Sequence, residues 1–298
     1  MDVSIIIVNY NTAVLLEDCI HSIKEQSVEI SYEIIVVDNA SADDSVSMLE
    51  TTFPEVILIK SPENIGFGKA NNLGVKQAEG NYVLLLNTDI LLINNAVKIL
   101  FDYMESPAAK DTGACGGNLY HQNLQPNFSY STHFPSLWNI FLYRSQLLSF
   151  LKTADSFNTS GKVKEVAIII GADLMMHRSF YEQLGGFDPD YFMYIEDGDL
   201  AYRIKKNHKK SVSVPEARII HLQGKSSTSA QKLIMELKGY ILYFNKHYGS
   251  FVVNIYLIEE LFFAMVKFII FVLLGKKDKA GALKNFMAFI YLKKWKTN

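Results

Sequence analysis

Amide, hydroxyl and carboxylate side chains gather at a few points along this chain. The early ones are Asn9-Tyr10-Asn11, Asp38-Asn39-Ala40-Ser41, Glu63-Asn64-Ile65-Gly66-Phe67-Gly68 followed by Asn71, Asn72 and Gly74, and Asn87-Thr88-Asp89. Two come late: Tyr194-Ile195-Glu196-Asp197-Gly198-Asp199, and the single His221. Hydrogen-bonding groups with a few carboxylates and one imidazole suit a polar ligand and a hard divalent cation. Each has a plainer reading as well. Asp89 also serves as a turn or helix-capping residue, Asp199 as a first-turn acid favoured by the helix dipole, and His221 as a structural loop histidine. Several other chemistries fit poorly. Gly66-Phe67-Gly68 lacks the third glycine of a dinucleotide fingerprint and follows the third strand rather than the first. The chain has no GxxxxGK[ST] phosphate loop and no GxSxG nucleophile elbow.

The elements that carry these clusters follow a clear rhythm. Residues 82–86 form an unbroken apolar run that stops at Asn87-Thr88-Asp89. Such a run reads as a strand buried on both faces, and ligands bind at the edge where strands of this kind end. Strands are expected at residues 3–9, 33–37, 56–60 and 82–86, alternating with helices at 12–26, 43–53, 65–78 and 94–105. This alternation predicts a mostly parallel sheet with right-handed crossovers, flanked by helices. Beyond residue 110 the rhythm loosens. A strand is expected at 113–120, then a long loop region at 121–160 with a short helix around 137–151. A strand at 166–176, a helix at 178–184, a helix at 198–206 and a strand at 211–214 follow. The polar clusters thus fall at the ends of strands, which a parallel sheet brings to one edge.

Bulk composition narrows the function classes. Lys and Arg number 29 against 31 Asp and Glu, which lacks the basic surplus of a nucleic-acid binder. Cys19 and Cys115 have neither metal-ligand nor CxxC spacing and read as buried free thiols. The apolar run at residues 3–8 reads as a first strand rather than a targeting segment. Residues 251–274 are almost wholly apolar but carry Glu259, Glu260 and Lys267. Two acids near the middle of a membrane span are costly, so a helix lying in the membrane interface or packed on a partner is favoured over a span. The tail from residue 276 holds seven lysines and one aspartate, interleaved with Phe286, Phe289, Tyr291 and Trp295, and suits an anionic lipid surface. A helical hairpin closing an internal core is the alternative.

Taken in order, these motifs resemble the family 2 glycosyltransferases, in particular the rhamnosyltransferase-like branch that builds bacterial surface polysaccharides. The resemblance covers roughly residues 3–230. It rests on the Val-Asn-Tyr-Asn start, Val-Asp38-Asn-Ala-Ser, Glu63-Asn-Ile-Gly-Phe-Gly-Lys-Ala-Asn-Asn, Leu-Asn87-Thr-Asp89, Gly185-Gly-Phe-Asp188 and Tyr-Ile-Glu196-Asp197-Gly-Asp-Leu. It implies the GT-A nucleotide-diphospho-sugar transferase fold over residues 1–230, with a nucleotide-binding half to about 110 and an acceptor-binding half at 111–230. Residues 231–298 are then a helical, membrane-associating C-terminal extension.

The resemblance also implies roles. Asp38 accepts a hydrogen bond from the pyrimidine base of a nucleotide-sugar, and Asn9 and Asn11 approach the nucleoside. Asn64, Gly66 and Asn72 match positions that shape the nucleotide pocket. Asn87, Thr88 and Asp89 stand where the family's DXD motif binds Mg²⁺ or Mn²⁺ across the diphosphate. Here the first acid is Asn, which leaves Asp89 as the main carboxylate. His221 matches a second metal ligand. Asp197 matches the general base of an inverting transfer, with Glu196 orienting the acceptor. The expected partners are a nucleotide-sugar donor, a saccharide or lipid-linked saccharide acceptor, the inner face of the cell membrane and a second copy of the chain. The expected location is cytoplasmic and peripheral. The Asn87 departure also keeps open a non-catalytic sugar-nucleotide or glycan-binding subunit of an assembly complex. A nucleotidyltransferase is less favoured, because Asn9-Tyr10-Asn11-Thr12 lacks a glycine- and basic-rich loop.

Overall fold

Strand β1 (Val3–Asn9) alternates its side chains between two cores. Val3, Ile5 and Ile7 enter one, while Ile6 enters the other. Strands β2 (Tyr32–Asp38) and β4 (Tyr82–Asn87) do the same, sending Val36, Leu84 and Leu86 to the first core and Ile35, Val83 and Leu85 to the second. A period of two with both faces apolar requires helices on both sides of the sheet. Helices α1 (Ala13–Gln26) and α4 (Ala96–Glu105) supply the first layer through Leu16, Ile20, Val97 and Leu100. Helix α3 (Phe67–Val75) contributes Val75 to the second. Helix α2 (Ser45–Thr52) covers the first core with Leu49.

The structure, a computed structural model, describes residues 1–145, 155–222 and 229–292. The remaining strands are β3 (Ile57–Lys60), β5 (Ile90–Leu92), β6 (Thr112–Tyr120), β7 (Tyr130–Ser131), β8 (Lys164–Val166), β9 (Ile168–Ile169), β10 (Asp173–His177) and β11 (Lys210–His221). The main sheet runs β3-β2-β1-β4-β10-β6-β11-β5, with β8 paired to β11, and β7 pairs separately with β9. Strands β3, β2, β1 and β4 are parallel, as are β6 and β11. Strands β10, β5 and β8 run antiparallel to their neighbours, giving a mostly parallel mixed sheet flanked by helices. Cys19 and Cys115 are buried free thiols.

Four sequence expectations change. The run at 166–176 is three short strands, because β8 pairs with β11, β9 with β7 and β10 with β4. An apolar run does not encode which edge each part joins. The strand expected at 211–214 extends to His221, so His221 ends a strand rather than following one. Strand β5 was not expected; three residues are too short to show a period. Helix α6 (Arg178–Gln183) matches its expected position, but helix α7 (Glu196–Lys206) begins two residues early. Glu196 and Asp197 therefore lie in its first turn.

The chain divides into two compact units. The first holds the sheet and its covering helices, comprising residues 1–134, 155–192 and 196–224. The second holds residues 135–154, 193–195 and 225–298, so two segments from within the first 230 residues join the C-terminal helices. Its helices are α5 (Leu137–Arg144), α8 (Ser229–Tyr248), α9 (Ser250–Leu273) and α10 (Lys277–Tyr291). The expected helix at 137–151 is seen as α5, and residues 146–151 lie outside the described residues, as does Trp295. One face of α9 buries Val253, Tyr256, Phe263 and Ala264. Tyr256 packs on Tyr240 and Phe244 of α8, and Phe263 on Phe141 of α5. Glu260 is buried and paired with Arg144 Nε at 2.9 Å. Among the described residues no helix is long and apolar enough to cross a membrane.

Candidate active site

Parallel register brings the first clusters together. Asn9 stands opposite Asp38, and Val8 opposite Asn87, so the ends of β2, β1 and β4 lie side by side. Asn9 Nδ2 donates to Asp38 Oδ1 at 2.9 Å and to Ser41 Oγ at 3.0 Å. The Ser41 amide donates to Asp38 Oδ2 at 3.0 Å. Thr12 Oγ1 donates to Asn9 Oδ1 at 2.7 Å and lies 3.0 Å from Thr88 Oγ1. Asn11 adopts a left-handed φ of 55°, and its Oδ1 accepts the Ala42 amide at 2.7 Å. Asn9, Asn11, Asp38 and Thr88 thus belong to one hydrogen-bonded network. Asp38 is buried. Each oxygen of a carboxylate has room for two bonds, so Asp38 keeps acceptor capacity for a ligand.

Asn39, which the sequence reading assigned no role, ties the glycine loop to this network. Its Nδ2 donates to Asn64 Oδ1 at 2.9 Å, and its Oδ1 accepts the Ile65 amide at 2.9 Å. Asn64 Oδ1 also accepts the Gly66 amide at 3.0 Å. Gly66 has φ 85°, and a Cβ there would lie 2.4 Å from the Phe192 carbonyl oxygen. Only glycine fits so tight a backbone approach at that φ. Asn72 reaches a different segment. Its Oδ1 accepts Tyr181 Oη at 2.6 Å and the Phe187 amide at 2.9 Å, and its Nδ2 donates to the Phe187 carbonyl at 2.7 Å. The side chain clamps the turn at Gly185-Gly186-Phe187.

Beyond β4 the chain enters β5, whose pairing sets Ile90 opposite His221. That register brings Asp89 and His221 together, with Oδ1 and Nε2 3.4 Å apart. The Leu222 amide holds the Asp89 carbonyl at 2.9 Å. His221 Nδ1 is buried with no hydrogen-bond partner among the described residues. One carboxylate oxygen and one imidazole nitrogen converging in this way fit a divalent cation. Among the described residues no group of three His, Cys, Asp or Glu side chains gathers. The protein itself would offer two ligands, Asp89 and His221, to such an ion.

The acid pair opens α7. Asp197 Oδ2 accepts the Gly171 amide at 3.3 Å, and its Oδ1 accepts the Gly198 amide at 2.7 Å. The neighbouring Ala172 carbonyl accepts the Asn87 amide at 3.2 Å, so two residues of backbone join Asp197 to the end of β4. Burial pushes the Asp197 carboxyl above the usual range. Burial, then the adjacent Asp197 charge, raises Glu196 as well, and Glu196 Oε2 is buried with no partner among the described residues. Asp199 is buried and accepts Arg203 Nε at 2.8 Å, while Arg203 Nη1 reaches the Leu184 carbonyl at 2.9 Å. That pair fastens α7 to the end of α6. The i to i+4 spacing of Asp199 and Arg203 was its only signal in the sequence.

Comparison with known proteins places the chain in a family. Residues 4–185 match the family model described as glycosyl transferase family 2. The chain is 26% identical over 242 residues to N-acetylglucosaminyl-diphospho-decaprenol L-rhamnosyltransferase of Mycobacterium tuberculosis, covering 75% of this chain and 76% of that protein. It is 28% identical over 164 residues to rhamnosyltransferase WbbL of Escherichia coli K12, covering 52% of this chain and 60% of that one. Among solved structures it resembles mannosyltransferase PcManGT from Pyrobaculum calidifontis, in complex with GDP-Man and Mn²⁺. There the TM-score is 0.58 at 19% identity, over 99% of this chain and 82% of that one. The likeness establishes the GT-A fold.

Proposed function

The chain belongs to glycosyl transferase family 2, and on that premise we propose that it transfers a sugar from a dTDP-rhamnose or UDP-hexose type donor to a saccharide or lipid-linked saccharide. The setting is synthesis of a bacterial surface polysaccharide. The observation that carries this reading is one sheet edge holding the Asp38 network, the Asp89–His221 pair and, through Gly171-Ala172, Asp197.

In this mechanism Asp38 binds the base, while Asn9 and Ser41 hold its carboxylate in place. Asp89 and His221 would hold Mg²⁺ or Mn²⁺, which when bound offsets negative charge on the diphosphate. Asp197 takes the proton of the acceptor hydroxyl as that oxygen attacks the sugar C1. The C1–O bond to the diphosphate breaks, the nucleoside diphosphate leaves with the bonding electrons, and the anomeric centre inverts in one step. A raised pKa makes Asp197 a stronger base once ionised. Glu196 orients the acceptor. The protein is cytoplasmic and sits peripherally on the inner face of the membrane through its C-terminal helices.

The test is a thermal-shift screen of dTDP-, UDP- and GDP-sugars with and without Mn²⁺, followed by transfer assays with the preferred donor. Binding of a ligand to the native state raises apparent stability, so the true donor stands out. Asp197→Asn abolishes transfer and keeps the donor-induced shift. Near-normal transfer by that variant would remove Asp197 as the base. A donor shift indifferent to Mn²⁺ and to His221→Ala would remove the metal assignment.

A further inference from the structure

Helix α9 has a second face that no described residue of its own unit covers. Phe251, Ile255, Ile258, Phe262, Met265 and Ile269 repeat at alternating steps of four and three, and all are 38–74% exposed. At about 100° per residue these positions share one side of the helix, opposite the buried Val253, Tyr256 and Ala264. An exposed apolar strip of this length marks an interaction surface.

Three observations choose the occupant. The face is broad: Val266, Ile270 and Leu273 are exposed beside the strip, so it exceeds the two-position seam of a coiled coil. Its flanks are poor in the charges that specify a helix partner, since α9 holds only Glu259, Glu260 and Lys267, and Glu260 is turned inward onto Arg144. The chain then becomes basic, with Lys276, Lys277, Lys279 and Lys284 exposed and a single acid, Asp278, among them. Aromatic side chains add to the surface. Helix α5, which packs on α9 through Phe141 and Phe263, exposes Trp138 at 66% and Tyr143 at 70%. Tryptophan and tyrosine favour the headgroup level of a bilayer, and lysines are drawn to anionic lipid.

We propose that the helical unit docks on an anionic lipid bilayer, with the exposed face of α9 in the interface, Trp138 and Tyr143 of α5 at the headgroups, and the lysines of α10 on anionic lipid. This deepens the peripheral-membrane part of the functional reading above and rests on it. It assigns the contact to one face of one helix, and adds two aromatic residues more than 100 positions upstream of the strip.

The test is co-sedimentation of the full chain with phosphatidylcholine vesicles, with and without phosphatidylglycerol, alongside light scattering without lipid. Binding is expected to the anionic vesicles and to weaken with salt. The paired substitution Ile258→Ser and Phe262→Ser weakens it by about tenfold or more, from the apolar area kept out of water. Lys276→Glu with Lys277→Glu weakens it by a similar factor. Trp138→Ser weakens it too. Equal binding to neutral vesicles overturns the electrostatic part, and no binding to either overturns the proposal. A concentration-dependent dimer that the Ile258→Ser and Phe262→Ser pair abolishes, with no vesicle binding, reassigns the face to a second copy of the chain. A donor thermal shift on the same preparation separates the outcomes. A protein that binds nucleotide-sugar but not vesicles refutes only the docking surface, and one that binds vesicles but no nucleotide-sugar refutes only the enzymatic reading.

Discussion

Asn72→Ala distinguishes a ligand-contact residue from a clamp. The resemblance places Asn72 at the nucleotide pocket, whereas its amide is engaged with Tyr181 and Phe187. Truncation leaves the Tyr181 hydroxyl proton without its acceptor and the Phe187 carbonyl without its donor. The Phe187 amide keeps a second acceptor, Tyr181 Oη at 3.2 Å. Tyr181 and Phe187 are almost fully buried, so water cannot readily replace the lost partner. Two buried polar groups left unsatisfied cost about 1–3 kcal/mol each, or roughly 2–6 kcal/mol together. In a chain of this size 1 kcal/mol moves Tm by roughly 2–4 °C, so a fall of at least about 4 °C is expected. The assay is thermal unfolding with and without the preferred nucleotide-sugar. Clamping predicts a lower Tm, with the donor-induced increment largely kept at temperatures where the variant is folded. An unchanged Tm with the increment lost would refute the clamp and restore Asn72 as a direct ligand contact.

Other expectations follow from the acid pair and from the helical unit. Transfer should be lost as pH falls through the raised Asp197 pKa, read as the acid limb of a kcat/KM profile. Because the folded pKa of Glu196 lies above its unfolded value, the native state loses stability as pH rises from the ordinary carboxylate range through the raised value. Glu196→Gln should therefore match the wild type in acid and be more stable in alkali, read by urea unfolding across pH. Arg144→Met leaves Glu260, only 4% exposed, without its cation, and should cost about 3–5 kcal/mol in urea unfolding; adding Glu260→Gln should recover part of that loss. Gly239→Ala places a Cβ 2.8 Å from the Tyr194 carbonyl oxygen, beside two residues held at φ 72° and 69° immediately before Glu196. A cost of about 1–3 kcal/mol in Tm measurements is expected, with kcat falling more than donor affinity.

Much of the sheet half was legible because its physics is local. The runs in β1, β2 and β4 are mostly apolar on both faces, as a doubly covered strand requires, and each stops at a polar residue. Those stops place Asn9, Asp38 and Asn87 at strand ends before any coordinate is known. Legibility failed where pairing is decided at a distance. Residues 166–176 read as one apolar strand, yet three different neighbours take its three parts. Strand β5 holds only three residues, too few for a pattern, although its pairing with β11 is what brings His221 to Asp89. Asn39 and Asn72 look alike in sequence, both amides in a polar motif, and only their hydrogen bonds separate a brace for the glycine loop from a clamp on a distant turn.

The amino-acid sequence by itself determined the alternating elements, the edge on which the polar clusters gather, and the family those clusters mark. These depend on periodicity and on residue types at strand ends, and both are properties of short segments. Tertiary structure alone decided which of the clustered side chains face one another. It set Asp89 beside His221, tied Asp197 through Gly171 and Ala172 to the end of β4, and turned Glu260 inward onto Arg144 while leaving the other side of α9 exposed. Each of these depends on strand pairing or helix packing between residues far apart in the chain, which no local pattern specifies.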